Sequence, residues 1–288
     1  MELLKNLKDL EIKNNFYLKK LTSFRIGGKS TLFIPHTLSA LKVLVKFLKE
    51  NYGKFYILGG GSSLLINDEE ISTPVVKLGK DFVGIERRDF SVVEVKAATP
   101  LSLLLNFCLK NKLQGLEEFC GMPATVGGMA KMDASSFGKN FLSLVEKIEL
   151  LDYKNDRLFV LSKEEIKREK LDGIITKLII RLEKSKDPKK RLRYFFDYRL
   201  KTQDFSLPNA GCIFKNPENF SAGFLIEKCG FKGKRVADAV VSTKHANFIL
   251  NQGNARFEDV ERLIFLIKEE VKKKFAINLE EKIIKWRN

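Results

Sequence analysis

A run of three glycines directly after a short apolar stretch restricts this chain more than any other sequence feature. Residues 55–58 predict a buried strand, and Gly59-Gly60-Gly61-Ser62-Ser63 follows it at once. Glycine lets the backbone take positive φ and approach a ligand closely, and exposed amide groups can surround phosphate oxygens. The run has neither the Gly-x-Gly-x-x-Gly spacing of a dinucleotide fingerprint nor the Gly-Lys-Ser/Thr of a phosphate loop. Alone, it is explained more often by a tight turn than by a ligand site.

A second glycine-rich segment has no strand or helix period. It reads Gly121-Met122-Pro123-Ala124-Thr125-Val126-Gly127-Gly128 and is largely apolar. Such a segment predicts a loop that packs closely against its surroundings. A flat apolar cofactor ring lying against backbone amides would explain it, and a buried connection between domains explains it equally well.

Hydrophobic periodicity along the rest of the chain predicts a mixed α+β fold. Helices are expected at 38–51, 101–111, 222–229 and 257–275, and strands at 75–78, 91–98, 148–153, 157–161, 174–182 and 248–250. The basic stretch 184–193 contains Asp187-Pro188 and predicts a solvated linker between domains.

The formal charge of +16 arises from 52 Lys and Arg against 36 Asp and Glu. Outside 184–193 the lysines are spread along the chain among glutamates, and no nucleic-acid-binding module is present. The longest apolar stretches are far shorter than a membrane span, and residues 1–10 lack the apolar core of a secretion signal. We therefore expect a cytoplasmic protein with neither a nucleic-acid nor a membrane partner.

The four cysteines have no Cys-x-x-Cys spacing, and only two histidines could assist them, so no metal site is predicted. Cys212 stands in a loop between Pro208 and Pro217. A thiol held there could donate a proton if neighbouring charge tunes it, or could simply fill space. The residues alone favour a space-filling role for the thiol over proton donation.

Several segments of the chain form a set that occurs in a fixed order. They are 22–28 (Thr-Ser-Phe-Arg-Ile-Gly-Gly), 58–65, 115–138 and 211–251, of which Val-Ser-Thr-Lys-His-Ala-Asn-Phe at 241–248 is the most specific. Together these segments resemble the UDP-N-acetylenolpyruvoylglucosamine reductase family. The resemblance covers nearly the whole chain. It implies an FAD-binding domain pair of the vanillyl-alcohol-oxidase (PCMH) type, at 1–75 and 76–187, and a carboxyl-terminal α+β substrate-binding domain at 188–288.

The resemblance also implies a non-covalent FAD and NADPH as co-substrate. The flavin would pass hydride to UDP-N-acetylglucosamine enolpyruvate, forming UDP-N-acetylmuramate for peptidoglycan. The motif positions that would bind FAD are Arg25, Gly27, Gly59, Gly60, Gly61, Ser62, Ser63, Gly121, Pro123, Thr125, Gly127 and Gly128. Both histidines lie outside the glycine-rich loops, which argues against a covalent flavin.

The proton donor of the resembled family is usually the serine of a Gly-Ser-x-Phe-Lys-Asn-Pro motif, and Cys212 occupies that position here. A thiol is a better acid than a hydroxyl, so proton delivery should be preserved. Lys215 and Asn216 match the substrate-contacting end of this motif.

The family's active-site arginine and glutamate match less directly. Arg168 has the expected place before the strand at 174–182, whereas Arg199, followed by Gln203, fits a different family pattern. We expect Arg168 to be the catalytic arginine. The glutamate falls on Lys282 without gaps and on Glu281 after a one-residue deletion, and Glu281 is our candidate.

Two other classes of function are weighed against this one. An FAD oxidase of the same flavin-binding class would not need the carboxyl-terminal motifs. A basic nucleic-acid-binding protein would leave the glycine loops and 241–248 unexplained. The short connection between Gln203 and Pro208 and the unbroken run 212–251 are typical of the shorter family type, without the extra substrate-covering loop.

Overall fold

The chain folds into two units, each assembled from separated stretches of sequence. The computed structural model describes residue 4 and residues 7–287. The first unit contains residues 4 and 7–14, Thr31–Gly60 and Thr73–Asp197, and the second contains Asn15–Ser30, Gly61–Ser72 and 198–287. The three-domain division at residues 75 and 187 stays a prediction.

The helices are α1 (Leu38–Tyr52), α2 (Leu101–Lys110), α3 (Val126–Lys131), α4 (Lys163–Arg168), α5 (Pro188–Thr202), α6 (Ala222–Lys228) and α7 (Phe257–Phe275). The strands are β1 (Leu10–Tyr17), β2 (Lys29–Pro35), β3 (Tyr56–Ile57), β4 (Leu64–Ile66), β5 (Val75–Val76), β6 (Ile85–Arg87), β7 (Val92–Lys96), β8 (Leu113–Gln114), β9 (Ser135–Ser136), β10 (Lys139–Asn140), β11 (Val145–Asp152), β12 (Arg157–Ser162), β13 (Ile174–Arg181), β14 (Glu183–Lys184), β15 (Asn209–Cys212), β16 (Arg235–Val236), β17 (Ala239–Val241), β18 (Phe248–Asn251) and β19 (Ile284–Trp286).

An antiparallel sheet of five strands, in the order β12-β11-β13-β7-β6, forms the centre of the first unit. Ile148 of β11 pairs with Leu161 of β12 and with Leu178 of β13. One face of the sheet is buried against α2 and α3, in a core that includes Leu104 and Met129. This core supports the loop that leads into α3.

A second core in the first unit lies under α1. Strands β2, β5 and β3 run parallel, with Val75 paired to both Leu32 and Tyr56. Helix α1 buries Leu41, Leu44, Val45 and Leu48 here, because residues three and four apart share one face of a helix. Its first turn is capped by Thr37, whose Oγ1 accepts the N–H of Ala40 at 3.2 Å. Strand β3 therefore ends beside this buried layer, with Leu58 between the strand and Gly59.

The second unit is built on an antiparallel sheet in the order β15-β18-β17-β16 and on helices α6 and α7. Strand β19, near the carboxyl terminus, pairs in parallel with β4, so that Ile284 lies opposite Leu64. The buried face of α7 includes Val260, Ile264 and Ile267. Cys212 is the last residue of β15, at the edge of this core.

The predicted elements and the α+β class are confirmed. Helix α7 spans the predicted range Phe257–Phe275, and the other predicted helices differ by one residue at the end. The predicted strands are all present, although β3 and β5 each shrink to two residues. No helix of the described residues is long and apolar enough to cross a bilayer.

The stretch 184–193 is mostly exposed, as predicted, but it is helical from Pro188 onward, and its role as a linker stays a prediction. Helix α5 begins inside it at Pro188, which has no N–H for the first helical turn to leave unsatisfied. The carboxylate of Asp187 accepts a backbone N–H of that turn at 3.1 Å, as an N-cap residue does. Arg191 then forms an ion pair with the buried Glu117 at 3.7 Å. Asp187-Pro188 marks the start of a packed helix.

Candidate active site

Gly59 and Gly60 pack their backbones against a second loop of the same unit. A Cβ atom on Gly60 would lie 2.6 Å from the carbonyl oxygen of Pro123 and 2.8 Å from Cα of Ala124. A Cβ atom on Gly59 would lie 2.9 Å from Oγ1 of Thr125. Backbone atoms cannot rotate away, so a larger residue at Gly60 would force the loops apart. The sequence places glycines here because the two backbones must meet.

The second loop is also fixed by glycines. Gly127 donates its N–H to the carbonyl oxygen of Ala97 at 2.8 Å, and a Cβ atom on Gly127 would lie 2.8 Å from Cβ of Ala97. Thr125 caps α3 by accepting the N–H of Gly128 at 3.4 Å. Gly121 has a φ of 77°, in the left-handed region that glycine adopts most readily. The predicted loop at 121–128 is therefore a fixed surface rather than a loose connection.

A cavity of about 430 Å³ is bounded by these two loops within the first unit. Its walls are mostly apolar and include Gly60, Pro100, Leu105, Met122 and Pro123. Such a volume and lining are typical of a site for a flat organic ligand. These residues fit a flavin, because glycines leave space at the point where the two loops meet, and side chains there would fill it.

Lys77 is a half-buried cation next to the glycine turn and is not among the predicted site residues. Its Nζ donates to the carbonyl oxygen of Gly59 at 3.3 Å, and burial lowers its pKa. No carboxylate pairs with it in the part of the chain that the structure describes. Removing an ammonium group from water is unfavourable without an anionic partner, so Lys77 is suited to a phosphate. A lysine inside the apolar stretch 75–78 is the sequence signal that could have identified it.

The third glycine of the turn belongs to the second unit. Gly61 has a φ of 64°, and a Cβ atom there would lie 2.0 Å from the carbonyl oxygen of Leu21. The carbonyl oxygen of Gly61 accepts the N–H of Ser23 at 3.0 Å. Ser62 and Ser63 follow and are partly buried. The turn is therefore joined to the segment that carries Arg25 and Gly27.

Arg25 and Gly27 lie in a strained segment of the second unit. Arg25 is exposed and has a φ of 56°, and its N–H donates to Thr22 at 3.3 Å. Gly27 has a φ of 143°, and a Cβ atom on the adjacent Gly28 would lie 1.8 Å from the carbonyl oxygen of Glu69. The predicted cofactor residues are thus divided: Gly59, Gly60, Gly121, Pro123, Thr125, Gly127 and Gly128 lie in the first unit, and Arg25, Gly27, Gly61, Ser62 and Ser63 in the second.

The loop that follows Cys212 is held by a buried asparagine. Asn247, which is 2% exposed, accepts the N–H of Phe214 through Oδ1 and donates Nδ2 to its carbonyl oxygen, both at 2.9 Å. The carbonyl oxygen of Asn247 also accepts the N–H of Ile213 at 2.9 Å. Cys212 itself pairs with Phe248 across the sheet. The thiol is therefore presented from a fixed backbone.

Cys212 is a half-buried free thiol next to two cations. Burial raises the pKa of the thiol, and the positive charges of Lys282 and Arg199 partly oppose this effect. A raised pKa keeps the thiol protonated at neutral pH. The site therefore contains an acid that is protonated before any reaction.

The two candidate arginines have different environments. Arg199 is 4% exposed in the second unit and donates Nη1 to Oε1 of Gln203 at 2.7 Å. Arg168 is the exposed last residue of α4 in the first unit, and no hydrogen bond or ion pair of its side chain is present within the described ranges. In this structure the positive charge of Arg199 favours the thiolate form of Cys212. A catalytic role for Arg168 stays a prediction.

Glu281 is engaged by two lysines. Its Oε2 lies 2.6 Å from Nζ of Lys285 and its Oε1 lies 3.1 Å from Nζ of Lys268. Burial alone would raise the pKa of this carboxyl, but the hydrogen bonds from Lys285 and Lys268 outweigh it and the pKa is lowered. Glu281 is therefore an ionised carboxylate that cannot serve as an acid at neutral pH.

Lys215 and Asn216 follow Cys212 closely along the chain. Lys215 is exposed and forms an ion pair with Glu280. Oδ1 of Asn216 accepts the N–H of Ala222, the first residue of α6, at 3.0 Å, and Ser221 is the N-cap residue of this helix. Cys212 ends strand β15 and so does not stand in a loop as expected, whereas Lys215 and Asn216 lie in the loop that follows it.

Known proteins match the chain along most of its length. Residues 202–286 match the family model of the UDP-N-acetylenolpyruvoylglucosamine reductase C-terminal domain, and residues 30–161 match an FAD binding domain. A UDP-N-acetylenolpyruvoylglucosamine reductase from Syntrophobacter fumaroxidans is 36% identical, over 96% of this chain and 84% of that protein. One from Thermotoga sp. strain RQ2 is 37% identical, over 93% of this chain and 91% of that protein.

A solved structure agrees with the fold over the same span. The crystal structure of UDP-N-acetylenolpyruvylglucosamine reductase (MurB) from Thermus caldophilus has a TM-score of 0.78 and 30% sequence identity, covering 96% of this chain and 100% of that chain. The predicted FAD-binding fold with a carboxyl-terminal substrate domain is confirmed, as are FAD as the cofactor and the oxidoreductase class. With relatives above 30% identity that align over nearly its full length, this chain belongs to the UDP-N-acetylenolpyruvoylglucosamine reductase family.

Proposed function

We propose that this chain reduces UDP-N-acetylglucosamine enolpyruvate to UDP-N-acetylmuramate, a peptidoglycan precursor, with bound FAD and with NADPH as the reductant. The observation that carries the proposal is the fixed loop of Cys212, which lies inside the stretch 202–286 that matches the reductase family. A nicotinamide nucleotide and a UDP-sugar enolpyruvate follow from the family. The choice of NADPH over NADH is our proposal.

The two glycine loops and Lys77 are the proposed FAD-binding elements of the first unit. FAD bound there would supply the chemistry for hydride transfer from the nicotinamide to the substrate. Gly60 and Pro123 would offer backbone and apolar surface to the cofactor, because they line the cavity. The ammonium group of Lys77 would face a phosphate, which supplies the anion that its site lacks.

Cys212 is the proposed proton donor. After hydride reaches the enolpyruvyl group, negative charge develops at the carbon next to the substrate carboxylate. The S–H bond of Cys212 breaks, a C–H bond forms at that carbon, and sulfur keeps the bonding electron pair as a thiolate. Solvent then returns a proton to the thiolate. The raised pKa of the thiol ensures that the donor starts protonated.

The remaining predicted site residues have proposed roles that depend on charge. Arg168 would bind the substrate carboxylate, for which its exposed guanidinium is available. Lys215 and Asn216 would contact the substrate from the Cys212 loop. Glu281 would act as a fixed negative charge, since hydrogen bonds from two lysines keep it ionised.

Two further expectations remain proposals. The cytoplasm is the proposed location, because NADPH and nucleotide-sugar substrates are supplied there. A nucleic acid is not a proposed partner. The positive charge of the chain is explained by its attraction for an anionic nucleotide substrate. Separation of cell fractions followed by detection of this chain would test its location.

The proposed reaction has a defined stoichiometry. With NADPH and UDP-N-acetylglucosamine enolpyruvate present, one NADPH should be consumed per sugar, and mass spectrometry should show a product that has gained two hydrogen atoms. NADPH oxidation without such a product would contradict the proposed substrate. A parallel reaction with NADH would test the choice of nucleotide.

A further inference from the structure

The segment that carries Lys282 is hydrogen-bonded to the Cys212 loop. Lys282 donates its backbone N–H to the carbonyl oxygen of Ile213 at 2.7 Å, and Ile283 donates to the same oxygen at 3.3 Å. Phe214 and Glu281 form an antiparallel bridge at the next position. Ile213 directly follows Cys212, so these bonds fix the backbone of Lys282 against the residue next to the thiol.

Among the residues that the structure describes, no carboxylate pairs with the ammonium group of Lys282 and so holds it away from the thiol. The side chain of Lys282 is half-buried. The neighbouring carboxylate of Glu281 is instead paired with Lys268 and Lys285. The positive charge of Lys282 is therefore not cancelled where it faces Cys212.

Only cations act on the thiol among the charged groups that the structure describes. They are Lys282, from the segment that follows α7, and Arg199, from the buried face of α5. Both favour the thiolate form of Cys212, whereas burial favours the thiol. A carboxylate in either place would strengthen the effect of burial instead of opposing it.

We propose that Lys282 is a positioning cation for Cys212, whose charge stabilises the thiolate left when Cys212 gives up its proton. This inference rests on the proposed function, in which Cys212 is the proton donor. A thiolate in a half-buried site is unfavourable unless a positive charge lies close to it. Burial keeps the donor protonated beforehand, and Lys282 lowers the free energy of the state that follows proton transfer.

The test measures the thiol directly. The holoenzyme is alkylated with iodoacetamide over a range of pH, and the rate at Cys212 is read by peptide mass spectrometry, with Cys229 of the same molecules as the internal reference. The variants are Lys282→Met, Lys282→Arg and, as a matched control, Lys273→Met. Lys273 is exposed on α7 and is not among the charges that act on either thiol.

In Lys282→Met the alkylation midpoint of Cys212 should move to higher pH, and its rate below the midpoint should fall roughly threefold or more. Lys282→Arg and Lys273→Met should keep the wild-type midpoint, and Cys229 should not change. An unchanged midpoint in Lys282→Met, or one moved to lower pH, would overturn the proposal. A circular dichroism melt of each variant shows whether it is folded, and Lys282→Gln, which removes the charge but keeps a polar side chain, replaces Lys282→Met if that variant unfolds; its midpoint should also move to higher pH, and an unchanged one would overturn the proposal.

The same variants separate this inference from the proposed function. Lys282→Met should slow the oxidation of reduced flavin by the enolpyruvyl sugar and leave flavin reduction by NADPH at the wild-type rate. If the wild type itself fails to react with the sugar, the proposed function is wrong, while the alkylation midpoints still decide whether Lys282 acts on Cys212. If the midpoint moves but turnover does not, Lys282 has no part in the reaction.

Discussion

Asn247 and Phe214 are joined by two hydrogen bonds of 2.9 Å, one from the backbone N–H of Phe214 to Oδ1 and one from Nδ2 to its carbonyl oxygen. The side-chain amide of Asn247 thereby makes the two backbone hydrogen bonds that a neighbouring strand would make, at the point where β15 has ended. Both groups are buried, so water cannot substitute for the side chain. The position of Cys212, two residues before Phe214, depends on this pair.

Asn247→Ala should destabilise the protein by about 3 kcal/mol, because it leaves a buried N–H and a buried carbonyl oxygen unsatisfied. Denaturant unfolding monitored by circular dichroism measures the change. Asn254→Ala, at an exposed position of the same unit, is the control and should be within about 0.5 kcal/mol of wild type. Equal stability of the two variants would show that the paired amide does not hold the loop.

Cys212→Ala should accept electrons from NADPH at the wild-type rate but lose turnover of the enolpyruvyl sugar, because no acid remains at the substrate carbon. Cys212→Ser restores a proton on the same atom position and should recover part of the activity. Stopped-flow absorbance separates the two half-reactions. Full turnover by Cys212→Ala would remove the thiol from the mechanism.

The pH dependence of the second half-reaction should report the same thiol. Since burial raises the pKa of Cys212, the donor stays protonated through neutral pH, and the rate should fall only as the pH rises past the ordinary value of a cysteine. In Cys212→Ser this decline should disappear, because a serine hydroxyl does not lose its proton in that range. A wild-type rate that increases with pH would require a base instead of an acid.

Gly60→Ala should weaken FAD binding roughly tenfold or more, because the new Cβ atom would collide with the backbone of Pro123 and Ala124. Flavin fluorescence during titration of the apoprotein gives the dissociation constant. Gly84→Ala is the matched control, since its Cβ atom would meet only the flexible side chain of Lys96 at 3.4 Å. The account of the glycine turn fails if both variants bind FAD equally well.

Lys77→Gln should lower FAD affinity roughly tenfold, since a charge-assisted contact to a phosphate is lost. Lys77→Arg keeps the charge and should bind within a few-fold of wild type. Lys110→Gln, which removes an exposed positive charge at the end of α2, should not change the affinity. Of the three variants, only Lys77→Gln should show a weaker dependence of FAD binding on salt concentration. An unchanged salt dependence in Lys77→Gln would mean that the phosphate does not bind at Lys77.

The two arginines should differ in stability as well as in activity. Arg199→Ala should lose about 1–3 kcal/mol of unfolding free energy, because Arg199 is buried and hydrogen-bonded to Gln203. Arg168→Ala should be as stable as wild type, since Arg168 is exposed, yet it should impair flavin oxidation by the enolpyruvyl sugar. Thermal melts and single-turnover kinetics measure both. Normal oxidation in Arg168→Ala would exclude Arg168 from the site.

The sequence predicts the regular elements well where one physical signal dominates. Helix α7 was located to the residue because its apolar positions recur at helical spacing over five turns. Strands β3 and β5 are shorter than the predicted 55–58 and 75–78, although Leu58 still donates its N–H to Val76 and Lys77 donates its N–H to Phe33. The exposure of 184–193 agrees with its charge, but the helix that begins there is not predicted, because Asp-Pro begins a helix as readily as it ends one.

The site is only partly readable from the sequence. The glycine turns and Cys212 stand in recognisable motifs, so their positions could be predicted. Lys77 is marked in the sequence only as a lysine inside an apolar stretch, and Lys282 only as the position on which the family glutamate falls. Their roles depend on neighbours distant in sequence, Gly59 for Lys77 and Cys212 for Lys282. Lysine is common throughout this chain, so residue type alone does not single them out.

The central claim is that the flavin of this chain passes its electrons to an enolpyruvyl sugar. The most direct test is anaerobic: the holoenzyme is reduced with NADPH, UDP-N-acetylglucosamine enolpyruvate is added, and flavin absorbance is followed near 450 nm, an approximate maximum of oxidised flavin. The account predicts rapid return of the oxidised spectrum without oxygen. A flavin that stays reduced until air is admitted would contradict it and would indicate an oxidase.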